Sequence, residues 1–93
     1  MAKNEGPTGA MDPRGLILEA YRIEGIVAED CRSIYFDWAL GAEAGRDLAE
    51  DTAALLAFYE GGAPAHPMTA VLREGLVAAR APKRRGGRRA RTN

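Results

Sequence analysis

Cys31 and His66 are the single cysteine and the single histidine of this sequence, and both residue types often serve as a nucleophile, a general base or a metal ligand. A general base needs a nucleophile or substrate within hydrogen-bond reach, and a metal site needs several converging ligands; the residues around His66 supply neither. Cys31 follows Glu29 and Asp30, whose negative charges raise a thiol pKa. We therefore expect His66 to be an exposed loop residue at or just before a helix start, and Cys31 to be a small buried hydrophobe.

The adjacent acids Glu29-Asp30 and Glu50-Asp51 do not indicate a catalytic carboxylate pair, since neighbouring positions on a helix point about a quarter-turn apart. We expect them on solvated helix faces. The sequence contains no glycine-rich phosphate loop, CxxC pair, HExxH motif or nucleophile elbow, and 93 residues leave little room for a closed substrate pocket. These features predict a protein that is not an enzyme and that holds no cofactor or metal ion.

The elements that must position any functional residue are helices. Apolar residues recur at helical spacing in the central part of the chain, and no alternating β-branched run predicts a strand. We predict an all-α fold, a small bundle of three to four short helices, with one folded domain at 12–81. A disordered N-terminal segment, 1–11, and a basic flexible tail, 82–93, flank it because their compositions bury little apolar surface.

The predicted helices cover about 13–22, 28–40, 46–60 and 67–80. The first should start after Asp12, whose carboxylate can accept hydrogen bonds from the free N–H groups of the first turn.

Two residues mark where the helices should pack. Trp38, the single tryptophan, lies on the apolar stripe of the second helix, so we expect it against Leu55, Leu72 or Leu76. Gly75 lies on the stripe of the fourth helix, where glycine costs roughly 1 kcal/mol relative to alanine. Its position predicts that another backbone packs closely there.

Four apolar residues are candidates for binding a partner. Phe36 and Leu40 project about 140° and 180° away from Cys31 on the second helix, off its main stripe. Either this helix is covered on two sides, or the two residues form an exposed patch. Phe58 and Tyr59 pose the same alternatives on the third helix. If both patches are exposed, they predict a surface for an unidentified protein partner or for self-association.

Charge is unevenly distributed although the formal net charge is +0. From Arg80 onward there are seven basic residues and no acid, while residues 1–79 carry a net charge of −7. The tail could neutralise phosphates with a salt slope of roughly −6, yet it has no aromatic residue to stack on bases. Its candidate contacts with nucleic acid or with an acidic partner are Lys83, Arg84, Arg85, Arg88, Arg89 and Arg91.

Two functions follow from these observations. The first is a small regulatory adaptor that binds a macromolecular partner through apolar helix faces. The alternative is a nucleic-acid-associated protein that makes weak, non-specific DNA or RNA contacts through its tail. We favour the adaptor because the acidic body would repel phosphates.

The sequence also predicts a location. A single cysteine makes no internal disulfide, and the N-terminus lacks the apolar region of a secretory signal. No apolar run approaches the roughly 18 residues that span a bilayer. We therefore expect a soluble cytoplasmic protein with no membrane contact.

Overall fold

The computed structural model describes residues 4–81 and contains four helices in that range. They are α1 (Leu16–Arg22), α2 (Ala28–Leu40), α3 (Leu48–Glu60) and α4 (Pro67–Arg80). No strand occurs between residues 4 and 81, so the prediction of a small all-α bundle is confirmed. Among these four helices, none has the length and apolar character that crossing a membrane requires.

Helices α2 and α4 have the predicted bounds, whereas α1 begins three residues late. Gly15, just before it, has a φ of 71° in the left-handed region, which interrupts the helical path after Pro13. The predicted role of Asp12 is confirmed nevertheless. Its carboxylate oxygens accept hydrogen bonds from the N–H groups of Leu16 (2.9 Å) and Leu18 (3.0 Å).

Helix α3 begins at Leu48 rather than Arg46 because Asp47 is extended and acts as the N-cap. The Asp47 side chain accepts a hydrogen bond from the N–H of Glu50 at 3.1 Å. Arg46, outside the helix, instead forms a two-pronged ion pair with Asp51, with N–O distances of 2.9 and 2.7 Å. Asp51 is buried, so the prediction that it lies on a solvated face is wrong. The arginine provides the compensating charge.

Helix α4 is central because it contacts each of the other three helices. Trp38 retains only 4% of its surface exposed, against 63% for Phe36, so α2 presents the predicted stripe to the core. Trp38 shares one core cluster with Leu55 and Leu72. The buried apolar residues of that cluster are Ile17, Ala20, Cys31, Trp38, Leu55, Tyr59, Met68, Val71 and Leu72.

The close approach at Gly75 is made by an aromatic ring and not by a backbone, which corrects the prediction. A Cβ atom at position 75 would collide with the ring and hydroxyl of Tyr35. The Tyr35 hydroxyl also hydrogen-bonds to Oγ1 of Thr52 at 3.0 Å. One tyrosine of α2 therefore contacts both α3 and α4.

The segment preceding α1 has no helix or strand, but its described residues, from Asn4 onward, are packed. The backbone N–H of Asn4 donates to the carbonyl of Pro13 (3.0 Å), and its side-chain amide donates to Oγ1 of Thr8 (2.9 Å). The indole N–H of Trp38 donates to the carbonyl of Met11 at 2.7 Å. Asn4, Thr8 and Asp12 are buried. Of the segment 1–11 that composition predicts to be disordered, residues 1–3 lie outside the described residues, and the burial of Asn4 and Thr8 was not predicted.

Candidate docking groove

An open apolar groove of about 430 Å³ lies between α2 and α4. The lining extends from Arg32 to Ala39 along α2 and from Val71 to Ala79 along α4. Leu48 at the start of α3 also contributes. The lining residues are Arg32, Tyr35, Phe36, Ala39, Leu48, Val71, Glu74, Gly75, Ala78 and Ala79.

Phe36 is the large apolar side chain of this groove, and it leaves 63% of its surface exposed. Its ring lies 6.3 Å from that of Tyr35, which is partly buried beneath Gly75. The α4 side consists of Val71, Glu74, Gly75, Ala78 and Ala79, and the last three of these are small residues. Leu40, one turn after Phe36, is 85% exposed and does not line the groove.

One end of the groove carries an ion pair. Nε of Arg32 lies 3.4 Å from Oε1 of Glu74, and both side chains are about half exposed. Because exposed pairs contribute little to stability, usually about 1 kcal/mol or less, these groups can exchange partners at low cost. The rim of the groove therefore presents one positive and one negative charge.

The second predicted patch does not form, because Tyr59 is buried. Its ring stacks on Tyr21 at a centroid distance of 4.0 Å. The ring of Phe58 lies perpendicular to that of Tyr59 at a centroid distance of 5.0 Å, and Phe58 remains half exposed. The Tyr59 hydroxyl lies close to Thr8 but has no hydrogen bond of ordinary geometry within residues 4–81. Burial raises the pKa of Tyr59. Of the four predicted partner-binding residues, Tyr59 is therefore a core residue.

His66 caps a helix, and Cys31 lies in the core. His66 is the N-cap of α4: its Nδ1 accepts a hydrogen bond from the N–H of Met68 at 2.9 Å, and its ring lies 4.4 Å from Tyr21. It is half-buried rather than exposed. Cys31 is fully buried, as predicted, and desolvation raises its pKa. A buried, protonated thiol is a poor nucleophile.

A smaller cavity of about 240 Å³ lies beside Trp38 and the segment before α1. Its acidic lining residues are Asp12, Glu43 and Asp51, and two of them are already engaged: Asp51 binds Arg46, and Asp12 accepts hydrogen bonds at the start of α1. Burial raises the pKa of Asp12 even though three backbone N–H groups oppose that shift. Across the described range, no three His, Cys, Asp or Glu side chains come together as a metal site would require.

Sequence reasoning selected Phe36, which lines the groove, and Leu40, which does not, and it missed the α4 side of the groove. The available signal was the spacing of Gly75, Ala78 and Ala79, which puts three small residues on one helix face. The predicted tail contacts Lys83, Arg84, Arg85, Arg88, Arg89 and Arg91 lie outside the described residues.

Comparison of the chain with protein-family models, with curated proteins and with solved structures finds no match.

Proposed function

We propose that this protein is a small non-enzymatic interaction module, a regulatory adaptor, whose groove between α2 and α4 receives an apolar segment of a protein partner. The observation that carries the proposal is the exposure of Phe36 beside an open apolar groove whose α4 side includes three small residues, Gly75, Ala78 and Ala79. A large apolar side chain next to an open apolar groove is the usual composition of the centre of a protein interface.

Two further observations support binding by this face. Leu40 extends the exposed apolar surface by one turn of α2, in line with Phe36. The body of the molecule is acidic, since residues 4–81 carry six basic residues against thirteen acids. Phosphates would be repelled, whereas an apolar protein segment would not.

The location that we propose for this protein is the cytoplasm. A buried, unpaired Cys31 accords with that reducing compartment.

Photo-crosslinking tests the position of the docking surface. Phe36 and Phe58 are matched positions, because both are exposed phenylalanines on 13-residue helices, with 63% and 49% of their surface accessible. We would replace each in turn with the photoreactive benzoylphenylalanine, express both variants in cells and irradiate them. The proposal expects discrete protein adducts from position 36 and few from position 58. Equal adducts from both, or none from position 36, would contradict it.

The alternative function, non-specific nucleic-acid binding by the tail, is favoured by one observation: every basic residue from Arg80 onward stands in a stretch without acids. Titration with random duplex DNA and with RNA, for the full chain and for a variant lacking residues 82–93, tests it. Binding that falls steeply with salt and disappears with the deletion would support this alternative. A dissociation constant above about 10⁻⁴ M at near-physiological salt would exclude it.

A further inference from the structure

We propose that the occupant of the groove is the same surface of a second copy of this chain, which makes the molecule a two-fold symmetric dimer. This inference rests on the proposed function, since it names the partner of the same docking surface. A two-fold interface must be self-complementary: whatever protrudes from one copy has to fit a depression on the other.

The groove combines both halves of such a fit. Phe36 is exposed on the α2 side, and the small residues Ala78 and Ala79 line the α4 side, about one turn beyond Glu74. A two-fold axis along the groove exchanges these two sides while it keeps the position along the helices. Phe36 of each copy then meets the small residues of the partner's α4.

The two charged residues at the rim of the groove also fit a two-fold axis. Arg32 stands on the α2 side and Glu74 on the α4 side, 3.4 Å apart. The axis that brings Phe36 onto the partner's α4 also brings Arg32 opposite the partner's Glu74, and Glu74 opposite the partner's Arg32. Two ion pairs across the interface can therefore replace or join the two within the copies. A strongly charged partner would leave one member of this balanced pair facing a like charge.

The charge of the body works against this association, since residues 4–81 carry six basic residues against thirteen acids and two such bodies repel each other at long range. The docking surface is small and open, and complexes of small interfaces are weak and transient. We therefore expect a dissociation constant of about 10 to 100 μM.

Sedimentation of the full chain between about 1 μM and 1 mM tests the proposal, since this range brackets the expected constant. The mass should rise from the 10.0 kDa of one chain toward about 20 kDa. Ala78→Glu, an exposed position filled by a good helix former, should raise the dissociation constant by roughly 30-fold or more, as should Phe36→Glu. Val77→Glu is the matched control. It makes the same kind of change one residue earlier, off the groove, and should leave the dimer intact.

Charge exchange separates contacts between copies from contacts within one copy. Arg32→Glu places two acids at the rim, and Glu74→Arg places two bases there, so each variant alone should dimerise poorly. Mixed together, they should form a heterodimer at least as readily as the wild-type chain dimerises, because opposite charges then meet across the interface. Circular dichroism of each variant establishes that the helices persist.

Three results would overturn the dimer: a wild-type chain that stays monomeric to 1 mM, equal effects of Ala78→Glu and Val77→Glu, or no heterodimer in the mixture. The crosslinking experiment at position 36 tests the docking function separately from the dimer. A monomeric chain that still gives adducts of another mass from position 36 removes the second copy as the occupant but keeps the docking surface, whereas silence at position 36 removes both.

Discussion

Helices α2 and α3 each carry a pair of large apolar residues in their second half, and the two pairs differ in how far they are exposed. Phe36 and Leu40 on α2 are exposed, while on α3 Phe58 is half exposed and Tyr59 is stacked in the core. Both helices have 13 residues. Residue type and position within the helix therefore do not determine which apolar side chain is available to a partner.

The difference comes from what covers each pair. Tyr59 is covered by Tyr21 of α1 and by the segment around Thr8, which reach it from distant parts of the sequence. Phe36 faces the last turns of α4, where Ala78 and Ala79 are too small to cover it. Exposure of an aromatic residue here reflects the size of the side chains across the groove.

The largest expected effect sharpens this contrast within α2. Trp38→Ala should lower the free energy of unfolding by about 3 to 5 kcal/mol, because it empties a buried site and removes the hydrogen bond to Met11. Phe36→Ala, two residues away, should cost about 1 kcal/mol or less. Urea unfolding at about 1 μM chain, well below the expected dimer constant, measures both. Equal costs would mean that Phe36 belongs to the core.

The second prediction makes the same comparison on α3. Tyr59→Ala should cost about 3 kcal/mol through loss of the stack on Tyr21, while Phe58→Ala should cost about 1 kcal/mol. Thermal or urea unfolding of the two variants gives the ratio. A larger loss for Phe58 than for Tyr59 would reverse the assignment of these neighbours.

The third prediction concerns Asp12 in the covering segment, residues 4–12, which precedes α1 and reaches Tyr59. Burial raises the pKa of Asp12 in the folded state above its ordinary value of 3.8, so the folded state binds the proton more tightly than the unfolded state does. Its contribution to stability is then fully present below pH 3.8 and is lost as the pH rises through the folded-state pKa.

Asp12→Asn, which does not titrate, isolates this contribution. Unfolding free energies of both chains across about pH 3 to 8 should show the wild-type chain losing stability relative to the variant as the pH rises. The many other acids cancel in this difference. A difference that stays flat, or that rises with pH, would contradict the raised pKa.

The smallest expected effect tests the buried hydroxyl of Tyr59. Since this hydroxyl makes no hydrogen bond of ordinary geometry in the described part of the chain, Tyr59→Phe removes an unsatisfied polar group and keeps the stacked ring. The variant should match the wild-type stability within about 1 kcal/mol, or exceed it. A loss of more than about 2 kcal/mol would indicate that a bond to Thr8 does form.

Local signals in the sequence predict much of this fold. The stripe and the terminal glycine of α2 predict its bounds, and Pro67 after His66 predicts the start of α4, because helix periodicity and capping depend on neighbours in the chain. The start of α1 was missed by three residues because the left-handed conformation of Gly15 is not visible from its identity alone.

The candidate site was only half predictable for a different reason. The angular position of Phe36 on α2 is a local property, and it indicated a residue off the main stripe. Whether α4 would cover it depends on which helices become neighbours, which periodicity does not encode. Gly75 shows the same limit: its sequence position predicted a close approach, but not that Tyr35 would make it.

The segment from Asn4 to Asp12 also has a consequence for the order of folding. Helices α3 and α4 are joined by six residues, 61–66, so their hairpin closes a short loop. The bond from Trp38 to Met11 spans 27 residues, and the bond from Tyr21 to Thr69 spans 48. Because longer loops cost more entropy to close, we expect the hairpin to form early and the covering segment to dock last.

Thr8→Ala should then accelerate unfolding and leave the folding rate unchanged, whereas a slower folding rate would place the segment in the folding nucleus. Until the segment docks, Tyr59 lacks its cover at Thr8 and has only the stack on Tyr21, so a newly made chain transiently exposes more aromatic surface than the folded protein does.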